Sequence, residues 1–160
     1  MDDFTKPPKS HLMAYHIGRG EQGVLTYEPY KSYLLPHWRF RTVPIAQTSS
    51  QVLWEKFLQF YENDDFVGMD MARKFIQMGM TRSKRYANYK GGRKYVDGKE
   101  KGVQNEKSRA HEGREEKEEA SRVFRAVWER CKKHEGYLEM KKVFQREQKE
   151  WAKSEAKDDD

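Results

Sequence analysis

The clearest structural signal in the chain is an apolar stripe with helical spacing in its C-terminal part. Six apolar residues recur at intervals of three and four: Ala120, Val123, Phe124, Val127, Trp128 and Cys131. An α-helix repeats every 3.6 residues, so this spacing places all six on one face. Such a face has to be buried against other elements, and Gly136 marks the end of the helix. The chain is therefore constrained to build a helical core.

Further apolar rows predict more helices that share this core. We predict helices over residues 50–61, 65–78, 81–89, 118–133 and 137–151. Gly79 and Gly91-Gly92 are natural stops, Thr81 is a candidate cap, and Asn63-Asp64-Asp65 ends one helix and caps the next. The apolar rows are expected to meet at six aromatic residues: Trp54, Phe57, Phe75, Phe124, Trp128 and Phe144.

The N-terminal part predicts less regular structure. Residues 1–11 are polar with two consecutive prolines, which indicates a flexible arm. Residues 12–27 form two short apolar runs around a glycine-rich turn, a pattern that predicts a small hairpin. Three prolines within residues 29–44 favour a rigid irregular segment, which Trp38 and Phe40 would anchor to the core.

Length and composition favour one domain with solvated additions. A chain of 160 residues is long enough for one core, and its apolar and charged fractions are equal at 36%. Residues 96–118 have few apolar side chains and predict a flexible loop, and residues 154–160 predict an acidic tail. The predicted fold is mainly α: a single helical domain over 12–153, with about five helices and a small extended or hairpin N-terminal segment.

The cysteine content and the hydropathy of the chain indicate the cellular compartment in which the protein is expected. Cys131 is the single cysteine, so no internal disulfide forms, which suits a reducing compartment. No apolar run approaches the roughly 18 residues of a membrane span, and the N-terminus lacks the features of a signal peptide. We expect a soluble cytoplasmic protein without a membrane partner.

The strongest functional signal is a basic stretch from Met71 to Val96, which contains no Asp or Glu. Its eight cations are Arg73, Lys74, Arg82, Lys84, Arg85, Lys90, Arg93 and Lys94. A solubilising face normally mixes both signs of charge, so this imbalance favours an anion-binding surface over a merely solvated one. Tyr86 and Tyr89 lie among the cations, and their rings either stack on bases or pack into the core.

A second set of cations lies upstream, between Pro36 and Pro44. His37, Arg39 and Arg41 flank the rings of Trp38 and Phe40. On one interpretation the rings only anchor the segment, and on the other the three cations extend the basic surface. The predicted anion-binding set is Arg73, Lys74, Arg82, Lys84, Arg85, Tyr86, Tyr89, Lys90, Arg93, Lys94, His37, Arg39 and Arg41.

The sequence predicts no catalytic residue, metal or cofactor. The five histidines are scattered, and the pair Cys131 and His134 lacks the further ligands of a zinc site. No phosphate loop or nucleophile elbow is present. The glycine pattern over residues 18–23 resembles a dinucleotide-binding motif but is not followed by a helix. Capping explains Asp64-Asp65 more simply than metal binding does.

Several segments together resemble a family of small microbial and phage proteins catalogued as a domain of unknown function. The similarity covers roughly residues 12–151 and implies no activity, cofactor or catalytic residue. The segments are Glu21-Gln22-Gly23-Val24-Leu25-Thr26, Glu28-Pro29-Tyr30-Lys31-Ser32, Leu35-Pro36-His37-Trp38-Arg39-Phe40, Asp65-Phe66-Val67-Gly68, Met71-Ala72-Arg73-Lys74, and Arg85-Tyr86-Ala87-Asn88 through Gly91-Gly92-Arg93-Lys94-Tyr95.

Three functions remain open from the sequence. The first is a module that binds nucleic acid or another polyanion through phosphate contacts, with little sequence specificity. The second is a small enzyme or binding protein for a phosphorylated or carboxylated metabolite, with Arg93, Lys94 and the Gly91-Gly92 amides as a pocket floor and His37 as acid or base. The third is a structural or host-interaction protein whose basic surface meets an acidic partner.

Overall fold

The computed structural model describes residues 3–89 and 113–158, and all regular structure within these ranges is helical. The predicted mainly α fold is confirmed. None of the helices in the described part of the chain is long and apolar enough to span a bilayer. The α-helices are α1 (Lys9–Met13), α2 (Tyr30–Leu34), α3 (Val43–Glu62), α4 (Phe66–Asn88), α5 (Arg114–Lys133) and α6 (Glu135–Asp158), with a 3-10 turn over Leu35–His37.

Helix α4 is the central element of the fold. It packs most extensively against α5 and α3, and it also contacts α2 and α6. Nearly every side chain from Phe66 to Met78 is buried, which is typical of a helix surrounded by other elements. Of the six aromatic residues expected in the core, Phe57, Phe75, Phe124 and Phe144 are buried, while Trp54 and Trp128 are partly buried against it.

The predicted break at Gly79 is wrong, because α4 continues through it. A Cβ atom at Gly79 would lie 2.5 Å from the Phe124 ring, so the glycine allows α5 to approach α4 closely. Thr81 does not cap a new helix, since its hydroxyl bonds to the Glu21 carboxylate at 2.9 Å. The predicted cap at Asp65 is present, and its carboxylate accepts from the Gly68 N–H at 3.0 Å.

Helices α3, α5 and α6 are longer than the sequence predicted. α3 begins at Val43, where the Thr42 hydroxyl oxygen accepts from the Ile45 N–H and Pro44 occupies the first turn. α5 begins at Arg114, inside the predicted loop, and α6 continues to Asp158 through most of the predicted tail. Glutamates favour the first turn of a helix, and two of them start α5. Residues 96–112 of the predicted loop over 96–118, and the last two residues of the predicted tail, lie outside the described residues.

The predicted hairpin over residues 12–27 does not form. The chain makes successive turns there, with positive φ angles of 65°, 57° and 82° at Gly18, Gly20 and Gly23. Carbonyl groups of these turns accept hydrogen bonds from the side chains of Arg73 and Lys74 on α4, so they do not pair with another strand. Side-chain donors from a helix thus replace the ladder of a hairpin.

The first residues pack against the domain rather than forming a free arm. The Phe4 ring lies 5.0 Å from the Tyr30 ring and 5.3 Å from the Phe60 ring, between centroids. The Lys6 ammonium donates to the Asp64 carbonyl at 2.9 Å.

Trp38 anchors the segment over residues 29–44 to the core as predicted, with its ring centroid 6.4 Å from that of Phe75.

Candidate functional site

The first two cations of the predicted basic stretch, Arg73 and Lys74, are buried. Arg73 is 7% exposed and Lys74 is 0% exposed. Both were predicted to belong to an anion-binding surface, but they face Asp70, which precedes them by one turn on α4. These two cations are therefore not part of a surface that a polymeric ligand can reach.

Asp70 is the centre of a buried polar cluster. Its carboxylate accepts hydrogen bonds from the Tyr15 hydroxyl at 2.5 Å and the Tyr137 hydroxyl at 2.6 Å. It also accepts from Arg73 Nη2 at 2.6 Å and Nε at 3.1 Å, and Lys74 Nζ lies 4.0 Å away. A buried carboxylate with this many donors satisfies the rule that buried charges are paired and hydrogen-bonded.

The two buried cations also attach the glycine-rich turns to α4. The Lys74 ammonium donates to the carbonyls of His16 and Gln22 at 3.0 and 2.7 Å, and it lies 4.6 Å above the Tyr15 ring. Arg73 Nη1 donates to the Gly20 carbonyl and to the Gln77 side chain. The cluster therefore organises residues 15–22, which the sequence analysis interpreted as a hairpin.

Burial shifts the ionisation of several groups in this cluster. It raises the pKa of Tyr15 and of Tyr137, and the neighbouring Asp70 carboxylate raises both further, so both phenols stay neutral. Burial lowers the pKa of Lys74 to about 8, although Asp70 partly opposes the shift. For Arg73, burial acts to lower the pKa, but the charge and hydrogen bonds of Asp70 together with Tyr137 and Tyr15 raise the pKa overall, and the guanidinium stays charged.

The Lys74 shift predicts that the protein gains stability as the pH rises from neutral. Folded Lys74 loses its proton near pH 8, whereas an unfolded lysine keeps it to about 10.5, so the unfolded chain binds more protons in between. Relative to Lys74→Met, the free energy of unfolding of the wild type should rise by about 2 kcal/mol between pH 7 and pH 9.5. Urea titrations of both proteins at the two pH values measure this difference. A constant difference would contradict the shifted pKa.

The remaining described cations of the basic stretch lie on the C-terminal half of α4, at its surface. Lys84 is exposed, and its ammonium lies 3.5 Å from the Glu118 carboxylate of α5. Arg82 and Arg85 are half-exposed, and neither forms an ion pair with any carboxylate in residues 3–89 or 113–158. The acidic start of α5 thus provides a partner for one cation, which the sequence analysis missed because it assigned Glu118 to the edge of a loop.

The two tyrosines of the stretch have different environments. Tyr89 is only 5% exposed, so its ring is not presented to solvent. Tyr86 is 38% exposed, and its ring centroid lies 5.8 Å from that of Phe40. The Tyr86 ring of the basic stretch therefore contacts the Phe40 ring of the upstream segment.

Lys117 of α5 completes this junction. Its ammonium donates to the Arg41 carbonyl at 2.5 Å and lies 5.8 Å from the Tyr86 ring and 5.9 Å from the Phe40 ring. Arg39 and Arg41 are exposed on either side of Phe40. Arg82 lies one helical turn before Tyr86 and on the same face of α4. We call these six residues the Tyr86 patch: Arg39, Phe40, Arg41, Arg82, Tyr86 and Lys117.

Positive charge is crowded within the Tyr86 patch. Burial lowers the pKa of Lys117, and the nearby Arg41 guanidinium lowers it further, while Glu116 acts in the opposite direction. The prediction that Arg39 and Arg41 extend the basic surface fits this arrangement. His37 differs, because its ring packs edge-on against the Tyr33 ring at 6.5 Å. Lys117 carried no signal of its own in the sequence, being one lysine in a mixed-charge run.

A basic groove of about 480 Å³ runs between α4 and α5 beside the patch. Its cations are Lys84, Arg85, Arg122 and Arg125, and Glu118 is the one acidic residue among its lining residues. Arg122 and Arg125 form exposed ion pairs with Glu119 and Glu129 at 2.6 and 3.4 Å. Exposed pairs of this kind contribute little, so these arginines can exchange a carboxylate for a phosphate at small cost.

Within the part of the chain that the structure describes, no group of three or more His, Cys, Asp or Glu residues could hold a metal ion. Cys131 is buried, and burial raises its pKa to about 12, which leaves an unreactive thiol. The neighbouring His134 caps α6, where its Nδ1 accepts from the Tyr137 N–H at 3.0 Å. Lys90, Arg93, Lys94 and the Gly91-Gly92 pair, all predicted site residues or pocket floor, lie outside the described residues.

Comparison with known proteins gives one match. A family model described as Domain of unknown function (DUF4385) matches residues 3–147. This match confirms the resemblance to a domain of unknown function that the sequence segments carry. No curated protein and no solved structure matches the chain.

Proposed function

Because the chain belongs to the DUF4385 family, whose description assigns no activity, we propose a function from the geometry of the described residues. The proposal is that the protein binds single-stranded nucleic acid through the Tyr86 patch. Phosphates would contact the cations, and a base would stack on the exposed rings. Sequence preference would be weak.

The observation that supports this proposal is the pair of accessible rings surrounded by cations from three different elements. Phe40 and Tyr86 are partly exposed although both are large aromatic residues. Flat rings on a basic surface suit unpaired bases, because every base has a π-face and stacking is tolerant of sequence. A duplex hides its bases, so the rings favour a single strand.

The charge of the patch provides the affinity. Arg39, Arg41, Arg82 and Lys117 would neutralise phosphates and release counterions, which is the main source of non-specific binding. In the free protein Glu116 offsets the repulsion between Lys117 and Arg41, and a bound phosphate would add a second negative charge beside this pair. The basic groove between α4 and α5 would let the strand continue past Lys84 and Arg85.

A salt titration tests the contribution of the cations. We expect a fluorescent oligo(dT) to bind the wild type, with affinity falling steeply as salt rises. In Arg41→Gln/Arg82→Gln/Lys117→Gln, three phosphate contacts are lost, and the slope of log K against log salt should fall by about two units, at roughly 0.7 per contact. Fluorescence anisotropy measures both slopes.

The matched control removes the same charge from exposed lysines of α6. Lys142→Gln/Lys149→Gln/Lys153→Gln should keep the wild-type slope, because this part of α6 packs beside Phe66 at the start of α4, whereas Tyr86 lies near the end of α4. If the slope falls equally in the two triple variants, binding depends on net charge alone and not on the patch. The absence of binding at low salt would overturn the proposal.

The role of the ring is tested by Tyr86→Leu, which retains apolar volume and removes the stacking surface. We expect oligo(dT) affinity to fall by about 1–3 kcal/mol, with little change in duplex binding or melting temperature. Tyr61→Leu is the control, because Tyr61 is similarly exposed but lies near the far end of α3 from Phe40. Unchanged oligo(dT) affinity accompanied by loss of stability would make Tyr86 a packing residue.

A further inference from the structure

A second basic site lies away from the Tyr86 patch, in a cleft of about 330 Å³. The glycine-rich turns form one wall, and the end of α5 with the start of α6 forms the other. Arg73, Lys132 and Lys141 line it, and none of its lining residues is acidic. Three cations from three helices therefore line one open cleft.

Arg73 is held rigidly at the floor of this cleft. Of the five N–H groups of a guanidinium, Nε and one at Nη2 bond to Asp70, and the two at Nη1 bond to the Gly20 carbonyl and the Gln77 side chain. The guanidinium also has a side-chain hydrogen bond with Tyr137. Arg73 therefore contributes a fixed positive charge to the cleft rather than a free donor.

The negative charge of Asp70 does not neutralise the site. Asp70 lies between Arg73 and Lys74, so this buried cluster carries one more positive than negative charge. Lys132 and Lys141 add two charges, and neither forms an ion pair with a carboxylate of the described residues. Lys132 Nζ lies 3.7 Å from the centre of the Trp128 ring, which positions it at the cleft wall.

We propose that this cleft binds a small phosphate monoester. The phosphate would bond to the ammonium groups of Lys132 and Lys141 beside the fixed charge of Arg73, since a dianion matches three cations that line one cleft. Ile17 and Leu138 also line the cleft, and Leu138 is exposed, so they would cover an apolar or aromatic substituent of the ester. This site shares no residue with the Tyr86 patch and goes beyond the proposed nucleic-acid function.

The test is calorimetric titration with phenyl phosphate, inorganic phosphate and phenol at constant ionic strength. Phenyl phosphate should bind the wild type saturably and more tightly than inorganic phosphate, and phenol should not bind. In Lys132→Gln/Lys141→Gln the affinity for phenyl phosphate should fall at least about tenfold, because two charge-assisted hydrogen bonds are lost.

Two controls separate this site from net charge and from the Tyr86 patch. Lys133→Gln/Lys142→Gln removes equal charge from exposed neighbours on the same helices and should bind phenyl phosphate like the wild type. Arg41→Gln/Arg82→Gln/Lys117→Gln should do the same, even if it loses oligo(dT). Equal weakening in both lysine pairs, loss of binding in the patch variant, or no saturable binding to the wild type would each overturn the site. Equal affinity for phosphate and phenyl phosphate would overturn the monoester assignment.

Discussion

Asp70→Asn should destabilise the folded protein by about 3–5 kcal/mol, because it leaves the buried charges of Arg73 and Lys74 without their counter-ion. An asparagine also cannot accept as many strong hydrogen bonds as the carboxylate does from Tyr15, Tyr137 and Arg73. Urea unfolding followed by circular dichroism measures the change. The control is Asp64→Asn, the same chemical change at an exposed residue whose φ of 54° asparagine tolerates.

A second substitution distinguishes lost charge compensation from general damage. Lys74→Met removes one of the two buried cations that Asp70→Asn leaves without a counter-ion, and it keeps most of the side-chain volume. Added to Asp70→Asn, it should recover part of the lost stability, since an unpaired buried ammonium costs more than an apolar side chain at the same position. A double variant less stable than Asp70→Asn alone would show that the Lys74 hydrogen bonds to His16 and Gln22 outweigh its charge.

Phe124→Ala should also cost about 3–5 kcal/mol, because the ring is fully buried where α5 meets α4. Its contact with Gly79 predicts that Gly79→Ala changes the stability in opposite directions with and without the Phe124 ring. Gly79→Ala in the wild type brings a methyl group within 2.5 Å of the Phe124 ring and should destabilise by about 1–3 kcal/mol. In the Phe124→Ala background the space is open, and the same change should stabilise by up to about 1 kcal/mol through helix propensity.

The four proteins of this cycle are compared by urea unfolding under one set of conditions. A Gly79→Ala effect of the same sign and size in both backgrounds would contradict the assigned contact, because uncoupled residues behave additively. It would then follow that α4 needs the backbone freedom of glycine at this position. The continuous helix through Gly79 argues against that need.

The long helices α3 to α6 were largely predictable because each carries its own apolar row. The five-residue helices α1 and α2 were not predicted, since they lie in segments interpreted as a flexible arm and an irregular segment. The stripe from Ala120 to Cys131 predicted α5, and the Asp65 cap predicted the start of α4. Gly79 was misinterpreted as a stop because a glycine that ends a helix and one that admits a neighbouring ring are identical in a local pattern. Only the position of Phe124, on a helix distant in sequence, distinguishes the two.

The site was less predictable because its contacts join distant segments. Arg73 and Lys74 appeared to be surface cations, although Asp70 lies one turn before both and was the available sign of a buried ion cluster. Tyr15 and Tyr137, which complete that cluster, come from opposite ends of the chain. The meeting of Phe40, Tyr86 and Lys117 likewise depends on tertiary packing and not on spacing within any one helix.

Helix α4 carries both proposed sites, with Arg73 near its middle and Tyr86 near its end. The thirteen residue steps from Arg73 to Tyr86 span about 20 Å at 1.5 Å per residue. At physiological ionic strength charges are screened over about 8 Å, so the fields of the two sites do not overlap through solvent. The two proposed sites should therefore bind their ligands independently. Neither ligand should change the affinity of the other unless α4 itself bends.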